Sequence, residues 1–296
     1  MRIVFIGCVE FSHSALIRLL KIPEAEVVGV VTRNSSSFNT DFRSLLPLAK
    51  PLEIPCFIAE KNDQGAMFDF VRELNPDVIY CFGWSYLLRS EILGVPHLGI
   101  IGFHPAALPQ NRGRHPLIWA LALGLQQTAS TFFFMDEHAD SGDILSQRPI
   151  PIGPEDDAGT LYQKMTEVAL EQIPVFTQAL AIGTYERHSQ NHAKANSWRK
   201  RSVKDGWIDW RMSAETIHNL VRALTRPYVG AHCLYQNNEI KVWKTTVEDR
   251  DGVENFEPGK VLSNSDGRIS IKCGTGTIML LEHEFHQMPS VGEYFL

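Results

Sequence analysis

Cysteine is scarce in this chain. The 296 residues hold five, Cys8, Cys56, Cys81, Cys233 and Cys273, an odd and widely spaced set with no pair at metal-knuckle spacing. That excludes a disulfide framework and a zinc ribbon, and the five read as reduced, mostly buried thiols of a cytoplasmic protein. Long apolar runs are missing too. MRIVFIGCVEF is apolar only until Glu10, so it is expected to be a buried strand rather than a signal peptide, and no run approaches membrane-spanning length. Positive charge is not in excess: 28 Lys and Arg face 34 Asp and Glu, a net charge of −6. A chain built mainly to grip nucleic acid has the opposite balance. The first strand ends in GCVEFS, without the second and third glycines of G-x-G-x-x-G, and no GK[ST] follows, so a nicotinamide or P-loop site lacks support. No metal motif appears, and no metal is expected.

What is present is apolar residue in quantity, 44% of the chain, enough for one large and one small domain. RIVFIG, EVVGVVT, PCFI, VIYCFG and LGIIGFH are apolar runs, and SHSALIRLLK and MFDFVREL between them have helical spacing. Strands apolar throughout, alternating with helices, predict a Rossmann-like parallel sheet in an α/β fold, with helices on both faces. STFFFMD reads as a further strand, and a helix over 160–181 closes the unit. Residues 187–206 (RHSQNHAKANSWRKRSVKDG) are polar, basic and poor in apolar side chains, as a linker is. Beyond them SAETIHNLVRAL is one helix capped by Ser213. EIKVWKTTV, GKVL, RISIKC and TIMLLEHEF then alternate between Asn and Gly turns, the texture of a small β-rich, OB-like domain or partial barrel. The expected division is 1–188, a linker over 189–206, and 207–296.

In such sheets ligands collect beyond the carboxyl ends of strands. Three segments are candidates to converge there: FGWSYLL, FHPAALPQNRGRHP and MDEHADSGDIL. The first offers a loop whose free backbone groups suit a flat polar ligand. The second supplies His104, Arg112 and Arg114. The third supplies Asp136, Glu137, His138, Asp140 and Asp143. A carboxylate beside an imidazole favours the charged ring, and such a histidine exchanges protons near neutral pH. An arginine pins an anionic group. Each residue also has a plainer reading. A lone histidine at a strand end more often fills space, Asp-Ser-Gly is turn chemistry, and Trp119 in PLIWALALG fits a helix core better than a stacking platform. His115 and His138 suit local hydrogen bonding, and Asp143 the opening of the next strand.

HPAALPQNRGRHPLIWAL followed by TFFFMDEHADSGDIL resembles the signature of the folate-dependent formyltransferases. GCVEFS and FGWSYLL agree with that family's pattern, and DGWIDWRMSAETIHNLVRALTRPYVGA resembles the small C-terminal domain of its amino-sugar branch and of methionyl-tRNA formyltransferase. The resemblance covers most of the chain. It implies transfer of a formyl group from 10-formyltetrahydrofolate to an amine, with His104 as the catalytic histidine and Asp140 as the catalytic aspartate. It places folate contacts at Tyr86, Leu87, Leu88 and Arg114 and along Asp136, Glu137, His138, Ala139 and Asp140, with Gly102 and Arg112 toward the substrate. It also implies a homodimer through the β-domain. One departure stands out. Where the family carries an asparagine two residues before the histidine, this chain has Gly102. The missing amide is a donor to the oxygen that gains charge, and loss of one such donor costs about 2.7–4 kcal/mol in model cases. A backbone N–H, a water or Asn111 is left to substitute, or the protein keeps the folate pocket and has lost turnover.

Two acceptors compete. A methionyl-tRNA formyltransferase needs a basic loop after the second strand, but TRNSSSFNTDFRSLL holds only Arg33 and Arg43. The basic RKRSVK patch is the counterweight, although a solvated segment accounts for such a run more simply. The balance favours a nucleotide-linked amino sugar, of the kind used in lipopolysaccharide biosynthesis, with its base stacked on Trp119, Trp198 or Tyr228. No nucleic-acid or membrane partner is expected.

Overall fold

The computed structural model describes residues 1–35, 40–60 and 62–295. Residues 36–39 of the loop after the second strand, part of the basic-loop argument above, lie outside the described residues. The chain forms two compact units. One comprises Met1–Gly113, Thr128–Ile150 and Lys164–Trp198; the other comprises Arg114–Gln127, Pro151–Gln163 and Arg199–Leu296.

The first unit is built on a seven-stranded sheet. Its strands are β1 (Arg2–Ile6), β2 (Glu26–Thr32), β3 (Cys56–Ile58), β4 (Val78–Cys81), β5 (Ile100–His104), β7 (Gln127–Phe134) and β8 (Ile144–Pro151), in the order β3-β2-β1-β4-β5-β7-β8. Strand β6 (Arg112–Gly113) lies outside it and pairs in parallel with β9 (Ser197–Trp198). The five strands from β3 to β5 run parallel, as their unbroken apolar runs predict. The alternation of side chains across the pleat explains why both faces are apolar. Val4, Ile6, Ile79, Cys81 and Ile100 face one side, where they cluster with Met67 and Val71 of α3 (Gln64–Leu74). Phe5, Tyr80 and Phe82 face the other, where Phe82 meets Phe103 and Phe132, and Phe132 meets Phe176 of α6 (Ala158–Ile182) at 4.7 Å. The Tyr80 hydroxyl is buried and satisfied by Thr177 Oγ1 at 2.8 Å. The remaining helices of this unit are α1 (Glu10–Leu19), α2 (Leu46–Ala49) and α4 (Ser90–Leu93).

One strand departs from the parallel pattern. The sheet is not wholly parallel, because β7 runs antiparallel to β5, pairing Gly102 with Phe133 and His104 with Thr131. Seven of its eight residues are buried, Thr128, Ser130 and Thr131 among them, because both faces are covered, and that is true of a buried strand in either direction. Periodicity therefore does not encode its sense. As a result the residues after β7 leave the sheet beside Ile100, whose carbonyl accepts from the Met135 N–H at 2.7 Å, and not at the carboxyl edge of β5.

The second unit carries an antiparallel sheet of five strands: β10 (Ala231–Tyr235), β11 (Asn238–Glu248), β12 (Val261–Ser265), β13 (Arg268–Lys272) and β14 (Thr277–His283). Its order, β10-β11-β14-β13-β12, leaves β10 and β12 as edges. Helix α7 (Ala214–Leu224) is amphipathic and buries Ile217, Leu220, Val221 and Leu224. Ser213 caps it, its Oγ accepting from the Thr216 N–H at 3.1 Å, as the sequence predicts. Helix α5 (Pro116–Ala122) packs against α7. All five cysteines are free thiols, four of them buried. Among the described residues no helix is long and apolar enough to cross a membrane.

Candidate active site

His104 is the last residue of β5 and is 4% exposed. Its Nε2–H donates to the Asn111 carbonyl at 2.7 Å. That bond fixes the tautomer and turns Nδ1 toward Asp140, whose Oδ2 lies 3.5 Å away. The same carboxylate oxygen accepts from the Gly113 N–H at 2.8 Å. Asp140 is therefore held by a backbone donor while facing the imidazole. A proton arriving at Nδ1 enters a space between the ring and a carboxylate, and the charged ring is met on its other side by a carbonyl. The arrangement gives the ring an acceptor on each side, the Asn111 carbonyl at Nε2 and the Asp140 carboxylate near Nδ1.

The loop between β5 and β6 is tied down from beneath. Thr131 Oγ1 donates to the Ala106 carbonyl at 2.7 Å, and Gln147 Nε2 donates to the Leu108 carbonyl at 3.0 Å and to Thr131 Oγ1 at 2.9 Å. Asn111 holds a left-handed backbone, φ 63°, and its N–H donates to Asn196 Oδ1 at 2.8 Å. Gly113 has φ 101°, and a Cβ there falls 2.3 Å from the Trp198 carbonyl oxygen. Only glycine lets β6 approach β9 this closely, and the approach leaves the Gly113 N–H free for Asp140.

The other residues singled out by sequence are distributed as follows. Tyr86, Leu87 and Leu88 follow β4. The Tyr86 hydroxyl accepts from Arg33 Nη1 at 3.1 Å, Leu87 is exposed, and the Leu88 side chain belongs to the core. Gln64, buried in the first turn of α3, holds this loop at two points: its Nε2 donates to the Leu87 carbonyl at 2.8 Å, and its Oε1 accepts from the Arg89 N–H at 2.7 Å. Asp136 closes its own loop, accepting from Ser141 Oγ at 2.6 Å and from the His138 N–H at 2.9 Å. Glu137, His138 and Ala139 are exposed. The Asp143 carbonyl accepts from the Phe134 N–H, next to the start of β8. Arg112 turns toward the 190s, donating to Gln190 Oε1 at 2.6 Å and lying 3.1 Å from His192 Nδ1. Arg114 is exposed and opens the second unit.

Trp119 and His115, also in the second unit, hold the basic run. The Trp119 indole donates to the Arg199 carbonyl at 3.0 Å, and its ring lies 4.6 Å beneath the Arg201 guanidinium. His115 Nδ1 accepts from the Arg201 N–H at 3.3 Å, and burial, followed by the nearby Arg114, Lys200 and Arg201 charges, disfavours its protonation.

Gly102 has a structural reason. Phe133 stands directly opposite on β7, and directly opposed residues share a face. A Cβ on Gly102 falls 2.9 Å from Phe133 Cζ and 2.9 Å from Met135 Cγ. The aromatic ring covers the glycine, and no room remains for an amide side chain.

Among the described residues, buried donors of this unit without a hydrogen-bond partner include Arg33 Nε, Trp84 Nε1 and Arg112 Nε, and the Ser130 hydroxyl on β7. Arg33 and Trp84 follow the carboxyl ends of β2 and β4. Buried donors are normally satisfied, so these point to a polar ligand or ordered water. Gln190, Gln64 and Gln147 were not legible as site residues: a glutamine in a polar stretch carries no periodic or motif signal.

Comparison with known proteins shows the family. The formyl transferase family model matches residues 1–177, and the model of the formyl transferase C-terminal domain matches residues 200–294. A methionyl-tRNA formyltransferase of Caldanaerobacter subterraneus subsp. tengcongensis is 32% identical over 303 residues, covering 100% of this chain and 96% of its own. Among solved structures, the sugar 3N-formyl transferase WlaRD, determined in the presence of dTDP and 5-N-formyl-THF, superposes with a TM-score of 0.71 at 16% identity, covering 97% of this chain and 99% of its own. An N-formyltransferase from Helicobacter canadensis, in complex with folinic acid and dTDP-3-aminofucose, gives 0.70 at 18%, covering 94% and 98%. At such identities these two likenesses establish the fold alone. With both family models matched in chain order, this chain belongs to the formyl transferase family, whose members are enzymes that transfer formyl groups.

Proposed function

We propose that this protein moves a formyl group from 10-formyltetrahydrofolate to the amine of a nucleotide-linked amino sugar, with His104 as acid and base and Asp140 as its partner. The observation that carries the chemistry is the 3.5 Å approach of His104 Nδ1 to Asp140 Oδ2 in a buried position. The donor brings an activated formyl carbon. As the new C–N bond forms and the bond to the carrier nitrogen breaks, one proton must leave the amine and one must reach the departing nitrogen. His104 takes up the first at Nδ1 beside Asp140 and returns it to the second, so the balance closes without another reactant. The loop after β4, with Tyr86, Leu87 and Leu88, is the expected folate contact. Its fixed backbone and the partnerless donors of Trp84 and Arg33 suit a flat ring with polar edges. Arg114 and the run Asp136, Glu137, His138, Ala139 and Asp140 complete the expected donor contacts, and Arg112 lies toward the acceptor.

The amino-sugar acceptor is supported by the net charge of −6 and by a loop after β2 with few cations. A second reading, methionyl-tRNA as acceptor, is favoured by the name of the 32% identical relative and by the basic run at 199–204. The proposed division at 188 and 206, the homodimer and the cytoplasmic location belong to the same reading. The test is to incubate the protein with 10-formyltetrahydrofolate and a panel of nucleotide-linked amino sugars and to look by mass spectrometry for formyl in place of hydrogen. Product on a sugar nucleotide supports the proposal. Donor binding with no product on any sugar amine rejects it.

A further inference from the structure

Residues 187–206 have the composition of a linker, yet they contain a side chain that reaches the centre of the candidate site. Gln190 is 7% exposed, and both ends of its amide are used. Its Nε2 donates to the Asp140 carbonyl at 3.0 Å and to the Gly142 carbonyl at 2.6 Å, while its Oε1 accepts from Arg112 Nη2 at 2.6 Å. One buried amide thus ties the backbone on either side of Ser141 to the guanidinium that precedes Gly113.

Asp140 needs such a tie. Its backbone is left-handed, φ 55°, a conformation a non-glycine residue adopts at a cost and keeps only where its surroundings over-determine it. Left to itself, the loop after β7 has no reason to bring Asp140 back to His104, since the strand leaves the sheet beside Ile100. Asp136 and Ser141 close the loop on itself but do not fix the Asp140 peptide. The two Gln190 donors do, and they leave the Asp140 side chain directed at the Gly113 N–H and His104 Nδ1.

We propose that Gln190 is a positioning residue for the reaction: its Nε2 holds the Asp140 peptide in the left-handed conformation that sets the carboxylate against His104. The proposal rests on the roles given above to His104 and Asp140, but its test needs no turnover, so the two can fail separately. Gln190→Met removes all three hydrogen bonds at similar volume. Gln190→Glu keeps an acceptor for Arg112 but loses both donors to the loop. In the full chain, the Gly113 amide reports the Asp140 carboxylate directly. Its hydrogen exchange is expected to accelerate about tenfold in both variants, as loss of buried hydrogen bonds implies. The imidazole nitrogen spectrum of His104, assigned through His104→Ala, is expected to move in both variants toward that of Asp140→Asn, while a loss of overall folding appears separately as a lower Tm. The proposal is overturned if either folded variant keeps the wild-type Gly113 exchange rate and His104 spectrum, or if only Gln190→Met changes them, which would assign the effect to Arg112. Should Gln190→Met not fold, Gln190→Glu alone decides.

Discussion

Replacing Gly102 with asparagine restores the residue that the resemblance led us to expect there, and this protein is expected to be the worse for it. The new side chain meets Phe133 and Met135 at 2.9 Å. Forcing atoms into a packed position costs about 1–3 kcal/mol, so the variant should fold with a lower denaturation midpoint and gain no activity. A rise in stability or in turnover would mean that the ring does not cover the glycine. The same scale carries the chemistry. His104→Ala and Asp140→Asn should each lower the transfer rate by about a hundredfold or more, with circular dichroism unchanged. Full activity in either variant removes the pair from the mechanism. His104 and Asp140 were legible because they sit in a spaced motif. Gln190 was not, because its importance comes only from where the chain returns.

The elements divide along the same line. Parallel strands, the α3 face and the Ser213 cap follow from apolar runs, helical spacing and a hydroxyl before a helix. The direction of β7 does not, since a strand buried on both faces looks the same either way round. In the second unit, two histidines besides His115 carry a consequence for pH. His218 on α7, with Nδ1 3.1 Å from Thr245 Oγ1, has its pKa lowered by burial and then by Arg222, against weaker opposition from the hydrogen bond with Thr245 and then from Glu155 and Glu215. His232 on β10 is lowered by burial and then by Lys241, against Glu239. Both therefore fold as neutral rings. Their contribution is fully present above the unfolded value of about 6.5 and is lost as pH falls below it, because the unfolded chain then binds more protons. Thermal scans should show Tm falling from pH 7 to pH 5, and falling less when both residues are replaced by glutamine. An equal fall in that double variant assigns the sensitivity to other groups.

At the scale of the whole molecule, charge separates the candidate acceptors. A net charge of −6 offers little to a polyanion, and binding to phosphate backbones weakens steeply with salt. A sugar nucleotide presents few charges, so its formylation should change little as salt is raised. The family and the two sheets were legible from the chain, because the motif and the apolar patterning are both local. The acceptor rests on net charge and on the few cations of one loop, which are weaker signals than a spaced motif. The most direct test is a competition in one vessel: labelled 10-formyltetrahydrofolate, nucleotide-linked amino sugars and methionylated initiator tRNA. The account predicts label on a sugar amine, lost with His104→Ala, and none on the tRNA. Label on the tRNA alone would contradict it.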